Sequence, residues 1–514
     1  MIVKTIKQNE FYLLRSIRLK TLVSFCFAIV FFTIFIDIVN QPKSGSSFYL
    51  NLTEVKSHIV DEKFLSLGLD TSVVASNFKG FNFTSPKLKS LISNLSPCYF
   101  RVGGNLADML HFSVNGTDYR TREISYNAQN YTDFNMTATE WTNLNKFVSD
   151  VKVNLIFDLN ALRRLQNGAW DSSNAKDLIK FSSDNDFKLY WELGNEPNSF
   201  YHKFNRSVNA SQLGRDFVEL RKILDQYETY KSSYLVGPDV TRPRTKDISM
   251  YLEKFLRAGA RVLNAITWHH YYFNGRTATP EQFLDPETFD LLKIHIKRVL
   301  KVTRSLKLDD KPLWLGETAT AWGGGARGLS DRFIASFIWL DKLGLSAKMG
   351  VSVVMRQSIF HEHYALLNDD YDPNPNYWVS ILYKRLVGRT VITSQNDKNI
   401  EVRLYAHCAK KSSFNGTRPA LVVFGVNVSP TEAIVKIGGV TSDPLVDSFE
   451  LTSDSLFSRT VLLNGKPLLL ASNHSLPDFK PKVIDLLMGD IVMPKYSCCF
   501  WIFRNVNVAA CGTN

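Results

Sequence analysis

Six cysteines in 514 residues are few, and no two of them stand at a metal-ligand spacing. Cys26, Cys98, Cys408, Cys498, Cys499 and Cys511 therefore argue against a structural zinc site, and neither metal nor organic cofactor is expected. No internal repeat is visible, which sets aside solenoids and propellers. Acidic side chains are the second shortage: 49 Asp and Glu against 61 Lys and Arg leave a formal charge of +12. The first twenty residues skew it, with Lys4, Lys7, Arg15, Arg18 and Lys20 against Glu10, yet the remainder stays basic. That balance favours a polyanionic partner. No nucleic-acid motif accompanies it, so nucleic acid is not expected.

Long hydrophobic runs are absent but for one. Leu22 to Val39 is apolar except for Ser24, Thr33 and Asp37, and basic residues precede it. This is a secretory-pathway segment. Its length suits a signal anchor, which would attach the chain to a membrane through residues 22–39; a cleaved signal peptide is the other reading. The expected location is a secreted, lysosomal or membrane-anchored one, with the catalytic part luminal or extracellular. Asn-x-Ser/Thr sequons at Asn51, Asn82, Asn94, Asn115, Asn130, Asn135, Asn205, Asn209, Asn415, Asn427 and Asn473 fit that compartment and predict surface loops. Disulfides are permitted there, although sequence alone leaves their pairing open.

With 45% hydrophobic and 12% aromatic residues the chain can bury a sizeable core. Its length predicts one large domain and a smaller one. Eight short apolar runs come first: Phe64–Leu69, Tyr99–Val102, Val153–Phe157, Leu189–Leu193, Tyr234–Val236, Ala265–Trp268, Leu313–Leu315 and Val351–Met355. Between them the period turns helical. Leu213, Phe217, Leu220 and Leu224 follow Ser211 as the expected cap, and Phe333, Phe337 and Leu340 follow Ser330 and Asp331. Strands unbroken by polar residues, alternating with helices, predict a parallel sheet closed as an α/β (β/α)8 TIM barrel over 61–387. Val114–Thr139 reads as a surface loop. Beyond Gly388 the runs Val402–Ala406, Ala420–Val426, Glu432–Ile437, Thr460–Leu463, Val483–Leu487 and Phe500–Phe503 predict a β-sandwich over 388–514. The expected order is thus a basic tail (1–20), a signal or anchor (21–39), a linker with a strand lent to the sandwich (40–60), barrel and sandwich.

Two runs end on carboxylates. Trp191-Glu192-Leu193-Gly194 leads into Asn195-Glu196-Pro197, and Leu313-Trp314-Leu315-Gly316 leads into Glu317. Barrel active sites lie at the C-terminal strand ends. Two glutamates raised there are what a glycoside hydrolase needs, one as acid/base and one as nucleophile or base. Alternatively, each is a strand-end glutamate paired with an arginine.

The words around them go further. WELGNEPNSF (191–200), GPDV with RPR (237–244), TWHHYY with NGRTAT (267–279), WLGET (314–318), WGGGA (322–326) and LSDRFIASFIWLDKLGLSAKMGVSVVMRQ (329–357) resemble the heparanase family of endo-β-glucuronidases, glycoside hydrolase family 79. The resemblance runs from about Phe64 to the C-terminus. It implies a retaining mechanism with Glu196 as proton donor and Glu317 as nucleophile, their carboxyls ~5–5.5 Å apart. The donor's pKa should then be raised by burial and by the second carboxylate. Asn195 is implied to bind the sugar 2-hydroxyl and His269 to orient the nucleophile, while His270 packs as a structural histidine. Gly323 and Gly324, with Tyr364, are implied to hold the glucuronate carboxylate, as bare backbone N–H groups can. Gln357 and Asp70 match substrate contacts, Asp70 with a structural role as its alternative. Arg242, Arg244, Lys246 and Arg276 are candidates for sulfate, or a solvated basic loop. Cys408 and Cys511 match the family's disulfide.

There are departures. The family's excised linker and Lys-rich segment have no counterpart, since Met136–Asp150 carries only Lys146 as a base. This predicts activity without excision and leaves the strength of heparan binding open. Asn105 replaces a substrate-contacting Thr, and Trp322 a Tyr. The leading expectation is an endo-β-glucuronidase acting on heparan sulfate or a related glucuronate polymer, as a monomer. An exo-β-glucuronidase shares every catalytic residue, and a silent proteoglycan-binding protein is the alternative from another class.

Overall fold

Eight apolar runs form parallel strands in the computed structural model, which describes residues 45–50, 58–114, 132–396, 400–413, 419–439 and 441–511. They are β1 (Leu65–Asp70), β2 (Tyr99–Gly103), β3 (Asn154–Leu159), β4 (Tyr190–Leu193), β5 (Val236–Val240), β6 (Ala265–His270), β7 (Leu313–Thr318) and β8 (Val351–Arg356). The hydrogen-bonded order is β4-β3-β2-β1-β8-β7-β6-β5. Trp191 N–H donates to Tyr234 O (3.0 Å) beside a parallel Trp191–Leu235 bridge, which joins β4 to β5 and closes the ring. The apolar segment 22–39 and the tail before it lie outside the described residues. Among the described residues no helix is long and apolar enough to cross a membrane.

The strands are not free of polar residues, as their runs suggested. Side chains alternate along a strand, and one inward layer is apolar: Tyr99, Ile156, Val236, Trp314, Val353 and Met355. Two residues on from Tyr99, Ile156 and Tyr190 come Arg101, Asp158 and Glu192, all buried. A barrel interior tolerates these groups because Arg101 pairs with both carboxyls and burial pushes Asp158 and Glu192 toward their neutral form.

One principal helix follows each strand: α1 (Pro86–Ser93), α2 (Ala138–Asp150), α3 (Ser173–Asp184), α4 (Ala210–Leu224), α5 (Lys246–Gly259), α6 (Pro286–Ser305), α7 (Ala335–Lys348) and α8 (Pro375–Leu386). Two caps differ from expectation. Asn209, not Ser211, caps α4, its side chain accepting from the Ser211 and Gln212 N–H groups. Helix α7 starts after Phe333 and has no side-chain cap. Ser330 and Asp331 are engaged elsewhere, Ser330 Oγ accepting from Ala326 N–H and Asp331 pairing with Arg459. The N–H groups of Phe333 and Ile334 are satisfied instead by the carbonyls of Ser458 and Leu456 (both 2.9 Å).

Helix α7 is buried all round because it lies between barrel and C-terminal sheet. Its Asp341 accepts from Arg403 Nε and Tyr405 Oη, each at 2.6 Å. The antiparallel sheet contains β9 (Val387–Ile392), β10 (Val402–Ala409), β11 (Leu421–Asn427), β12 (Leu445–Thr452) and β13 (Ser497–Phe503), in the order β9-β10-β11-β13-β12. A smaller sheet contains Gly45–Leu50, Ser394–Asn396, Ala433–Gly438 and Ile491–Met493. The two share a core that includes Leu404, Val423 and Trp501 from one sheet, and Val435 and Met493 from the other. Cys408 of β10 is bonded to Cys511.

Elsewhere the expected loop and strands are adjusted. Within Val114–Thr139, Phe134–Thr137 forms a strand parallel to Leu110–Ser113. Val483–Leu487 shifts to a strand at Lys482–Asp485, and Thr460–Leu463 shortens to Leu462–Leu463. Two sequons are not on the surface. Asn135 is buried, and buried Asn427 donates from its amide to Thr431 O and Pro494 O. Asn51, Asn115, Asn130 and Asn415 lie outside the described residues.

Candidate active site

Strand β4 ends on a backbone that only a well-supported loop holds. Gly194 has φ +86°, and Glu196, a non-glycine residue, sits in the left-handed region at φ 52°, ψ 53°. Such a residue costs about 1–2 kcal/mol. Three consecutive N–H groups offset it: Gly194 donates to Asp158 Oδ1 (2.8 Å), Asn195 to Asp108 Oδ2 (2.9 Å) and Glu196 to Asp239 O (3.1 Å). The Glu196 carboxylate is thereby aimed over the barrel mouth.

Glu317 stands near the end of β7, in register with His269 of β6. A Cβ at the preceding Gly316 would lie 2.3 Å from Asp239 Oδ1, so glycine is required for the Asp239 carboxylate to occupy that space. Glu317 accepts from Tyr271 Oη (2.6 Å) on one oxygen and from Arg101 Nη1 (2.9 Å) on the other. Arg101 is 1% exposed and also reaches Glu192 (2.6 Å), Asp239 (2.9 Å) and Asp158 (3.6 Å). Burial alone would weaken its charge; these four carboxylates more than restore it.

His269 joins the two glutamates. Its Nδ1 is 3.2 Å from Glu196 Oε1 and 3.8 Å from Glu317 Oε1. The two oxygens are thus no further apart than the sum of these distances, a bound that admits the ~5–5.5 Å of a retaining pair. Burial would lower the His269 pKa, but Glu317 and Asp239 outweigh it and push it up to about 10. Nε2 lies 3.4 Å from Asp239 Oδ1. An imidazolium therefore stands among three carboxylates, nearer to Glu196 than to the nucleophile it was expected to orient.

The expected raised pKa of Glu196 is overturned. Burial raises it, but Lys203 Nζ at 2.6 Å and His269 more than reverse that and hold it at about 2. The physical reason is local: a lysine seven residues on and an imidazolium reach the carboxylate, and His269 stands between it and Glu317.

The remaining residues surround this centre. Asp70, ending β1, caps the helix Thr71–Ala75 through Ser72 N–H (2.8 Å) and accepts from Gln357 Nε2 (3.0 Å) beyond β8. The structural role expected as the alternative for Asp70 is therefore present. Asn195 accepts from Arg101 Nη2 (3.0 Å) and donates to Asn105 Oδ1 (3.1 Å). The turn Gly323–Gly325 has positive φ throughout. Arg276 lies beside Gly323, and Glu362 fills the space a Gly324 side chain would need. Tyr364 packs on Gly325 and stacks on Tyr271 with centroids 6.1 Å apart.

Arg244, Lys246 and Arg276 are exposed. Arg242 is half-buried, its Nη1 donating to the Tyr271 and Tyr272 carbonyls. His270 is buried against His295 at 3.2 Å. Sequence reasoning missed Arg101, Asp239, Tyr271 and Lys203. For Arg101 the signal was present: a charge at the inward position of an otherwise apolar strand.

A closed parallel barrel carrying two carboxylates on the ends of its fourth and seventh strands is the arrangement of a barrel glycoside hydrolase. Known proteins narrow this. The profile described as "Glycosyl hydrolase family 79, N-terminal domain" matches residues 71–344. Heparanase from Bos taurus is 35% identical over 503 residues, covering 89% of this chain and 91% of its own. Hyaluronoglucuronidase from Hirudo nipponia is 33% identical over 487 residues, covering 88% and 96%. Among solved structures, a 4-O-α-L-rhamnosyl-β-D-glucuronidase from Fusarium oxysporum 12S shares the fold at TM-score 0.67 and 14% identity, covering 88% of this chain and 99% of that one. The chain belongs to glycoside hydrolase family 79, as a heparanase-like enzyme.

Proposed function

We propose that the protein is a retaining endo-β-glucuronidase that cuts glucuronate–glucosamine linkages in heparan sulfate or a related polymer. The observation that carries this reading is the single His269 nitrogen within 3.2 Å of Glu196 and 3.8 Å of Glu317. Two carboxylates so placed flank one glycosidic bond. Glu317, aligned by Arg101 and Tyr271, attacks the anomeric carbon; Glu196 protonates the departing oxygen. Water then completes hydrolysis with Glu196 as base. Gly323, Gly324 and Tyr364 are assigned to the glucuronate carboxylate, and Asn195, Asp70 and Gln357 to sugar hydroxyls. Exposed Arg244 and Arg276, with the net charge of +12, support a sulfated substrate. Work in the secretory pathway belongs to the same proposal, supported by exposed sequons at Asn82, Asn94, Asn205, Asn209 and Asn473.

The test is to digest heparan sulfate, and hyaluronan in parallel, with residues 40–514 and size the products. Mid-length oligosaccharides from heparan sulfate are expected. Monosaccharide release alone would make the enzyme exo-acting, and fragments from hyaluronan alone would move the substrate to the unsulfated polymer. Glu317→Gln should bind the polymer without turnover; a wild type that also binds without turnover would mean a silent binder. Activity is expected from the unprocessed chain, and turnover only after proteolysis would contradict that.

A further inference from the structure

Lys203 and His269 hold the Glu196 carboxyl well below the usual carboxylate range, so it stands ionised where a proton donor must carry its proton. The proton donor therefore has to be released from its cations before it can act. Two cations hold Glu196, and they differ in freedom. His269 is fully buried and sits against Asp239 at 3.4 Å, so it is fixed. Lys203 rises from the short helix Phe200–Phe204 on a flexible stem, and its side chain is 15% exposed beside a Glu196 that is 17% exposed. Its Nζ donates to Glu196 Oε2 (2.6 Å) and Asn105 Oδ1 (2.5 Å). An ammonium has three donors, and these two bonds account for its partners among the described residues. The third N–H has no hydrogen-bond partner among the described residues.

The other charges around Glu196 do not compete for this role. Glu317 of β7 is tied to Arg101 and Tyr271, and Asp239 of β5 to Arg101. Asp108 accepts the backbone N–H groups of Ala161 and Asn195. Lys203 is the one group touching Glu196 whose charge a ligand can draw away without breaking into the buried layer.

We propose that Lys203 is a specificity-determining residue: a sulfate on the bound polysaccharide takes Lys203 from Glu196 and so arms the acid only on sulfated substrate. This rests on the glucuronidase reading and deepens it. Once Lys203 has turned to the oxyanion, Glu196 takes a proton from solvent and passes it to the glycosidic oxygen. An unsulfated chain leaves Lys203 on Glu196, and the acid stays ionised. A purely structural Lys203 would hold Glu196 equally for every substrate.

The experiment compares wild type, Lys203→Gln and Lys203→Arg on a size-matched pair: a sulfated heparan oligosaccharide and its desulfated, N-acetylated counterpart, from pH 4 to 7. Wild type should favour the sulfated member by at least about tenfold in kcat. Lys203→Gln should lose that preference, with its acid activity extending to higher pH on the desulfated member, and Lys203→Arg should keep it. The same preference and superimposable pH profiles in wild type and Lys203→Gln would overturn the proposal, as would equal loss on both substrates at unchanged melting temperature. Proton uptake supplies a measurement that needs no Lys203 variant. Glu317→Gln binding the sulfated oligosaccharide should take up about one proton near pH 5, read by calorimetry in buffers of different ionisation enthalpy; no uptake overturns the proposal. Wild type is also assayed on 4-nitrophenyl β-glucuronide, whose leaving group needs little protonation. Turnover there, with no preference between the two oligosaccharides, sinks the Lys203 role alone, whereas no turnover on any glucuronide sinks the glucuronidase reading and this proposal with it.

Discussion

Arg101 and Glu317 stand 216 residues apart in the chain and 2.9 Å apart in the fold. The guanidinium lies inside the barrel, where Glu192, Asp239 and Asp158 also converge on it. One buried cation thus serves as the shared counter-ion of the interior carboxylates and fixes the orientation of the proposed nucleophile. The Arg–carboxylate alternative for strand-end glutamates is therefore met by Glu317 without removing it from the site.

Arg101→Met should destabilise the protein by about 3–5 kcal/mol, because buried carboxylates lose their counter-ion. The measurement is urea unfolding followed by fluorescence. A variant within error of wild type would mean that the layer is neutralised in some other way.

Tyr271→Phe removes the 2.6 Å hydrogen bond to Glu317 and leaves the ring on Tyr364. Charge-assisted bonds contribute about 1.5–3 kcal/mol, so kcat should fall roughly ten- to hundredfold with the melting temperature little changed. An unchanged kcat would show that Arg101 alone aligns the nucleophile.

His269 gives a signed pH dependence. Its folded pKa is pushed up to about 10 from an ordinary 6.5. Its stabilisation is then fully present below pH 6.5 and is lost as pH rises through 10. Wild type should lose melting temperature between pH 7 and 10 more steeply than His269→Gln, and parallel slopes would contradict the imidazolium.

The Cys408–Cys511 bond closes a separation of 103 residues across the C-terminal sheets. Cys511→Ala should cost about 2–4 kcal/mol, seen as an earlier unfolding transition. No shift would place that segment's stability in its packing alone.

The barrel was legible because its strands are short apolar runs at regular intervals, and the glutamates because a glycine, Gly194 or Gly316, closes each apolar run just before them. Asn195 and Gln357 were legible as parts of the motifs 191–200 and 329–357, and Tyr364 through the family resemblance. What escaped depends on contacts between distant segments. Arg101 looked like an interruption of an apolar run, and only the closed ring shows four carboxylates meeting it. The start of α7 was hidden because carbonyls from another domain, Ser458 and Leu456, do the work of a cap. The depressed pKa of Glu196 was hidden for a similar reason: Lys203 lies close in sequence, but nothing in the pattern says which way its side chain turns.

The direct test of the paired-glutamate account is trapping with a 2-deoxy-2-fluoro-β-glucuronyl fluoride, followed by peptide mass spectrometry. The fluorine slows hydrolysis of a covalent intermediate, so a glycosyl adduct is predicted on the peptide carrying Glu317, and none in Glu317→Gln. An adduct on another residue, or turnover of a natural substrate with inversion at the anomeric carbon, would contradict it.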